Sequence, residues 1–235
     1  MAKILVIVPT YNEQDSIIPL VDKLFGLGLD LDILVVDDGA DKTPELIKQK
    51  QLERPNLYLI KREKKAGRGT AVLAGLRFGL EKDYQFLIEM DADFSHQPEE
   101  LPSLLAVAQP GNVVIGSRYV KGSQIKNWPW QRIIFSHFAN FYANLVLGIG
   151  IHDYTNGYRV YSRAAVEKID FDRINSIGYI VLSEIAYQLF KKGIKFTEVK
   201  ILFINRQRGK SSFSFKEIKE AFTAVWKIRR QNRNI

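Results

Sequence analysis

The chain has 235 residues, 46% of them hydrophobic and 26% charged, enough for one large domain with a sizeable core and too apolar for a disordered chain. It has no cysteine, which excludes disulfides, thiolate catalysis and cysteine-ligated zinc, and its three histidines, His96, His137 and His152, show no metal-ligand spacing. Of the net charge of +8, +7 comes from Arg206 onward, where nine Lys or Arg face two Glu, so the basic character belongs to the tail and suits nucleic acid, anionic lipid or an acidic substrate.

In chain order, the opening "KILVIV" reads as a first strand, since one Lys before five apolar residues is too short for the core of a signal peptide. No apolar run reaches the roughly 18 residues of a spanning helix, so a soluble or peripheral protein is expected. Helix-like "DSIIPLVDKLFGL", strand-like "DILVV", helical "TPELIKQKQL", strand-like "LYLI", helical "GTAVLAGLRFGL", strand-like "FLIEM", helical "PEELPSLLAVA" and strand-like "NVVIG" follow. The strands are unbroken apolar runs, as in a sheet covered on both faces, and their alternation with helices is a βαβ pattern. Thr43, Pro44 and Glu45 read as N-cap, first-turn proline and first-turn acid, and Gly26 and Gly28 as the end of the first helix.

Three strand ends carry polar motifs, "VPTYNE", "VVDDG" and "EMDADFSH", and in an open parallel sheet ligands bind outside the carboxyl ends of the strands. Asp91 and Asp93, one residue apart, are hard oxygen ligands suited to Mg²⁺ or Mn²⁺, which takes one or two protein carboxylates and completes its shell with phosphate and water. A single such pair in a loop is most often a solvated turn; the second acidic strand end, Asp37 and Asp38, is what raises it. The first reading is therefore a nucleotide-sugar or other diphosphate substrate, whose leaving charge a divalent ion neutralises. "RGKS" at 208–211 lacks the glycine and the strand–loop–helix context of a P-loop, and "GRGTAVLAG" lacks dinucleotide-binding spacing.

Beyond Gly116 the pattern loosens. "NWPWQRIIFSHFANFYANLVLGIG" is helical and aromatic-rich, too polar to span a bilayer but suited to its surface, to a partner or to an ordinary core position. "SEIAYQLFKKG" reads as a further helix and "KFTEVKILFI" as one strand. The tail opens with a capping box, Ser214 with Glu217, and Phe215, Ile218, Phe222, Val225 and Trp226 recur at helical spacing among basic residues. It is either an interfacial helix or one packed on the domain.

In this order and spacing, "PTYNE", "VVDDG", "KREKKAGRGTAV", "MDADFSH", "GSRYVKGS", "WPWQR" with a later Ser, "TNGYRVYSR", "SE" and "NRQRGKS" resemble the dolichyl-phosphate mannose synthase group of family 2 glycosyltransferases, over about residues 4–213. The resemblance implies an α/β fold of GT-A type, a mostly parallel central sheet flanked by helices, over 1–213, with 214–235 as a basic amphipathic helix and tail. It implies that Pro9, Tyr11, Glu13, Val36 and Asp38 hold the nucleoside, that Asp91, Ala92 and Asp93 meet the diphosphate, and that Ser95 joins the two Asp at the metal. Arg118, Arg132, Ser136, Arg206 and Ser212 correspond to acceptor-phosphate positions, with Arg118 counted beside Asp91 and Asp93 as catalytic, and Glu184 to an acid of the acceptor-side helix.

The implied reaction is inverting transfer of mannose from GDP-mannose to dolichyl or another polyprenyl phosphate with Mg²⁺ or Mn²⁺. The implied place is the cytoplasmic face of a membrane, with a membrane-spanning partner subunit as an option and no nucleic acid. Ala40 for Ser after "DDG", Arg68 in "AGRG" for the more usual Gly-Leu-Gly, and Ser212 for Lys depart from the pattern. Arg68 is thereby brought near the site, where Arg62, Lys65 and Arg68 could approach a phosphate or form a solvated charge run. UDP-glucose or another donor, a soluble hydroxyl acceptor, and a nonenzymatic binder using the tail are the alternatives.

Overall fold

A computed structural model describes residues 3–63, 66–176, 178–205 and 215–232, with backbone alone for 215–222. Strands β1 (Ile4–Thr10), β2 (Leu31–Asp37), β3 (Leu57–Lys61), β4 (Phe86–Glu89) and β5 (Asn112–Ser117) fall on the five expected apolar runs. Between them lie α1 (Ile17–Phe25), α2 (Thr43–Gln51), α3 (Arg68–Glu81) and a short α4 (Leu101–Leu105). The rest of the chain adds β6 (Gln124–Lys126), α5 (Trp130–Leu147), β7 (Arg159–Ser162), α6 (Arg163–Val166), α7 (Ile180–Lys191), β8 (Lys195–Lys200), β9 (Leu202–Ile204) and α8 (Phe215–Gln231).

The main sheet has seven strands in the order β3-β2-β1-β4-β7-β5-β8. All neighbours in it are parallel except β7, which runs antiparallel between β4 and β5. The sheet is thus mostly parallel and flanked by helices, as the resemblance implies. Alternate residues of each strand serve opposite faces. Leu5 and Ile7 enter one core with α3, α6, α7, α8 and the end of α5, while Val6 and Val8 enter another with α1, α2 and α4. Both faces being covered is the physical reason the strands read as continuous apolar runs.

Three local expectations are corrected. Thr43 is not the N-cap of α2 but its first residue. Asp41 Oδ1 accepts the Thr43 N–H at 3.0 Å, and the Thr43 hydroxyl instead accepts the Glu13 N–H at 3.2 Å, turning it toward the β1 loop. The single strand expected over 195–204 divides at Ile201, with β8 pairing β5 and β9 leaving the sheet to pair β6. β7 lies where no strand was expected, because a fully buried arginine, Arg159, opens its four residues and masks the apolar signal. The expected capping box at Ser214 lies outside the described residues. Val225 and Ile228 of α8 are buried in the first core, Trp226 is exposed, and Arg229 Nη1 donates to the Val146 carbonyl at 2.7 Å.

Helix α3 comes close to the sheet through its glycines. A Cβ at Gly75 would stand 2.3 Å from Ile7 Cγ2, and one at Gly79 would stand 2.1 Å from Leu87 Cδ2. Ile7 is β-branched and held in a central strand, so it has little room to give. Gly75→Ala should therefore destabilise the protein by about 1–2 kcal/mol in urea unfolding, overturning the usual helix gain of about 0.5–1 kcal/mol for that change.

Candidate active site at the carboxyl ends of the strands

The loop after β1 and the turn after β2 are fastened to each other. Thr10 Oγ1 donates to Asp37 Oδ1 at 2.7 Å, Asp38 N–H to the Thr10 carbonyl at 3.0 Å and Ala40 N–H to Asn12 Oδ1 at 2.8 Å. Gly39 packs so closely on this loop that a Cβ would lie 2.6 Å from the Asn12 nitrogen. The two acids of the turn then divide their work. Asp37 is fully buried and paired with Lys61 at 2.8 Å, a structural role. Asp38 takes both ends of the Arg62 fork and accepts the Ala66 N–H at 3.1 Å. Of the residues assigned to the nucleoside, Tyr11 is exposed, Pro9, Glu13 and Asp38 are partly buried, and Val36 is sealed in the core with no accessible surface. An open cleft of about 370 Å³ between the two loops is lined by Asn12, Gln14, Asp15, Ala40 and Asp41, the sequence neighbours of those residues.

β4 ends at Glu89, which is fully buried, and Asp91 follows two residues later. Arg68, at the start of α3, joins both: Nη1 is 2.6 Å from Glu89 Oε1, Nη2 is 2.6 Å from Asp91 Oδ1, and Nε donates to the same Asp91 oxygen at 2.8 Å. Burial alone would push the Asp91 carboxyl up, but Arg68 and then His96 bring it below the usual carboxylate range. For Glu89 burial wins over Arg68 and Arg159, and its carboxyl sits above that range. Asp93 Oδ1 accepts both the backbone N–H of Ser95, at 3.0 Å, and its hydroxyl, at 2.6 Å, across a tight turn in which Phe94 has a φ of 59°. That fastening orients the Asp93 carboxylate.

His96 is a positioning residue that sequence spacing did not reveal. It is fully buried, its Nδ1 accepts the Asp91 N–H at 3.0 Å, and its Nε2 lies 2.8 Å from Asn156 Oδ1. Because a backbone N–H can only donate, the proton of a neutral ring sits on Nε2 and is donated to Asn156. Asn156 Nδ2 in turn donates to the Gly116 carbonyl, so the Asp91 loop is tied through one ring to the end of β5.

On the other side, Arg118 follows β5. Its Nε and one Nη bind Asp153 at 2.8 and 2.7 Å, and the same Nη binds the Thr155 hydroxyl at 2.8 Å. Burial alone would raise Asp153, but Arg118 holds it below the carboxylate range. The Arg118 guanidinium therefore stands as a fixed cation close enough to Asp91 to help lower its pKa. Arg118 and Arg132 both face the Trp128 ring, at 5.3 and 4.1 Å from its centre. Ser136, one turn further along α5, accepts from the Tyr119 hydroxyl at 2.5 Å. Glu184 is fully buried on α7 and accepts the Ser176 N–H at 2.9 Å. Arg206 and Ser212 lie outside the described residues.

The donor set fits a hard divalent ion. Asp91, Asp93 and Ser95 offer oxygen only, and among the described residues no group of three or more His, Cys, Asp or Glu forms a closed protein cage. A Mg²⁺ or Mn²⁺ shell completed by phosphate and water suits that open set, whereas zinc or a softer metal would need His or Cys.

Comparison with known proteins agrees with this geometry. Residues 5–170 match the family described as glycosyl transferase family 2. Polyprenol monophosphomannose synthase of Mycolicibacterium smegmatis is 43% identical over 96% of this chain and 87% of its own length. Undecaprenyl-phosphate mannosyltransferase of Micrococcus luteus is 38% identical over 95% of this chain and 92% of its own. Among solved structures, glucosyl-3-phosphoglycerate synthase from Mycobacterium tuberculosis in complex with UDP aligns over 97% of this chain and 80% of that one, with a TM-score of 0.65 and 16% identity. The same enzyme with Mn²⁺ and UDP-glucose gives a TM-score of 0.66. The fold is GT-A.

Burial lowers the His96 pKa from its ordinary 6.5, with the Asp91 charge opposing. The unfolded chain then binds more protons than the folded one as pH falls below about 6.5, so the stability His96 contributes is present above that pH and lost below it. Gln at 96 can accept and donate in the same way without titrating. The melting temperature of the wild type should fall more steeply between pH 7 and 5.5 than that of His96→Gln, and parallel profiles would remove His96 from the linkage.

Proposed function

This chain belongs to glycosyltransferase family 2, and within that family we propose that it moves mannose from GDP-mannose to a polyprenyl phosphate, with inversion, using Mg²⁺ or Mn²⁺. The names of two relatives that share nearly the whole chain support mannose and a polyprenyl-type phosphate. Within the molecule, one observation carries the acceptor reading: Arg118 and Arg132 share the Trp128 ring at the head of α5, and that helix presents an apolar stripe outward.

The stripe consists of Trp130, Ile134, Phe138, Phe141 and Leu145, each 54–70% exposed. At 100° per residue these five positions fall within about 80° of the helix circumference. Beside it, α8 packs on α5 and adds exposed Trp226 with basic Lys227, Arg229 and Arg230. Aromatic and aliphatic side chains at the level of the headgroups, flanked by cations, match an anionic bilayer surface. No described helix is long and apolar enough to cross a membrane. We place the enzyme peripherally on the cytoplasmic face; a membrane-spanning partner subunit is the other occupant such a stripe could take.

On the donor side Pro9, Tyr11, Glu13, Val36 and Asp38 form the nucleoside end, with Val36 acting through its backbone and the core beneath it. Asp91, Ala92 and Asp93, with Ser95, face the diphosphate. A divalent ion held there supplies Lewis-acid neutralisation of the leaving diphosphate. Arg118, Arg132 and Ser136, with Arg206 and Ser212, receive the acceptor phosphate, and Glu184 braces the 176 loop behind it. A phosphate monoester, with a second pKa near 6, is already anionic at neutral pH. Its oxygen attacks the anomeric carbon without a general base, and the chain's task is to orient two anions in line by fixed cations.

With Mn²⁺, labelled GDP-mannose and polyprenyl phosphate in detergent, the label should move into the organic phase; label found only in water-soluble sugar would end the lipid-acceptor reading. Asp93→Ala should lower turnover by about 10²-fold or more while keeping the wild-type circular dichroism. Separately, the protein should float with vesicles containing phosphatidylglycerol, less so as salt rises, and Phe141→Ser with Leu145→Ser should weaken flotation. A wild-type chain that fails to float, or that floats only with an added membrane protein, would shift the stripe to a partner subunit.

A further inference from the structure

Arg68 departs from the pattern the chain resembles, and its setting is built around it. It opens α3 directly after Gly67, whose φ of +92° and ψ of 152° suit glycine alone. Its side chain is 14% exposed and lies under the ring of Tyr179, 5.0 Å from the ring centre. Gly157 supplies the space: a Cβ there would be 2.0 Å from Arg68 Nη2 and 2.9 Å from Glu89 Oε1. Gly157 has no positive φ, so room for the arginine and not backbone freedom is what glycine provides.

Two Arg68 nitrogens occupy Asp91 Oδ1, an oxygen that a metal site built on two carboxylates would use. Together Arg68 and the buried Arg159 balance the charges of Glu89 and Asp91. A divalent ion approaching alone must therefore meet a carboxylate already neutralised and a guanidinium that repels it at short range in a partly dry pocket. A diphosphate changes the balance, because its oxygens complete the ion's shell and its charge offsets the nearby guanidinium.

We propose that Arg68 is a resident cation in the first half of the metal site, holding Asp91 so that firm binding of the divalent ion requires the diphosphate of the donor. Before the donor arrives, Asp93 and Ser95 are the chain's contribution to the ion; with the donor in place, Arg68 keeps Asp91 positioned beside the completed shell. Arg68 is thus a positioning residue of the donor site, and the proposal rests on the reading of Asp91 and Asp93 as metal-side carboxylates.

The test measures free Mn²⁺ by electron paramagnetic resonance with the full chain, with and without GDP, for the wild type, Arg68→Leu and Arg68→Lys. GDP should tighten Mn²⁺ binding to the wild type by about tenfold or more, the scale on which groups bonded to metal ligands act. Arg68→Leu should bind Mn²⁺ about tenfold more tightly than the wild type without GDP and lose most of the GDP effect. Arg68→Lys, which keeps the charge but not the fork, should fall between them and stands in if the leucine variant does not fold. Equal Mn²⁺ affinity of wild type and both variants without GDP, or a wild type indifferent to GDP, would overturn the role of Arg68. Failure of every form to bind Mn²⁺ even with GDP would instead overturn the metal reading of Asp91 and Asp93 on which it stands.

Discussion

A carboxylate with no access to water needs cations beside it, and the end of β4 is organised by that need. Glu89 is fully buried, and Arg68 reaches it from α3 while Arg159 approaches from β7. To supply those charges, α3 must run close to the sheet, which Gly75 and Gly79 permit, and an antiparallel strand must enter between β4 and β5. The same arginine that answers Glu89 also holds Asp91. The architecture of the sheet and the setting of the candidate site are consequently one electrostatic arrangement.

Around it, three described loops that carry candidate residues are fixed by polar contacts to their neighbours. Asn12 and Thr10 secure the turn after β2, His96 and Asn156 secure the Asp91 loop to β5, and Asp153 secures Arg118. Side chains preset in this way lose little freedom when charged ligands bind, which is the condition for electrostatic catalysis by position. The two proposed halves of the site, donor and acceptor, adjoin at Asp91, whose charge is felt by Arg68, His96 and Arg118 together.

The five leading strands and their helices were legible because burial on both faces leaves a simple apolar signature. Asp91 and Asp93 stand out in the sequence because a second acidic pair, Asp37 and Asp38, also closes an apolar run. β7 was hidden by Arg159, a charge whose partners are backbone carbonyls and hence invisible to residue patterns. Ligand spacing does not single out His96, because its work is a tautomer-specific bridge to Asn156, sixty residues away. The resemblance makes Arg118 an acceptor-phosphate position; nothing in "GSRY" announces that Asp153 takes up its fork. Arg68 stands out in the sequence as a departure and as one of three cations that could approach a phosphate, but the space made for it by Gly157 is visible only in three dimensions.

Arg159 donates to the carbonyls of Tyr154, Asn156 and Leu182, at 2.8 to 2.9 Å. Every residue type has a carbonyl. This anchor therefore reads the path of the chain and is blind to its lettering, so as far as Arg159 is concerned the segments it fastens can exchange their side chains while their course stays unchanged. A scaffold fastened through its main chain tolerates change in the side chains around it while the buried frame stays intact.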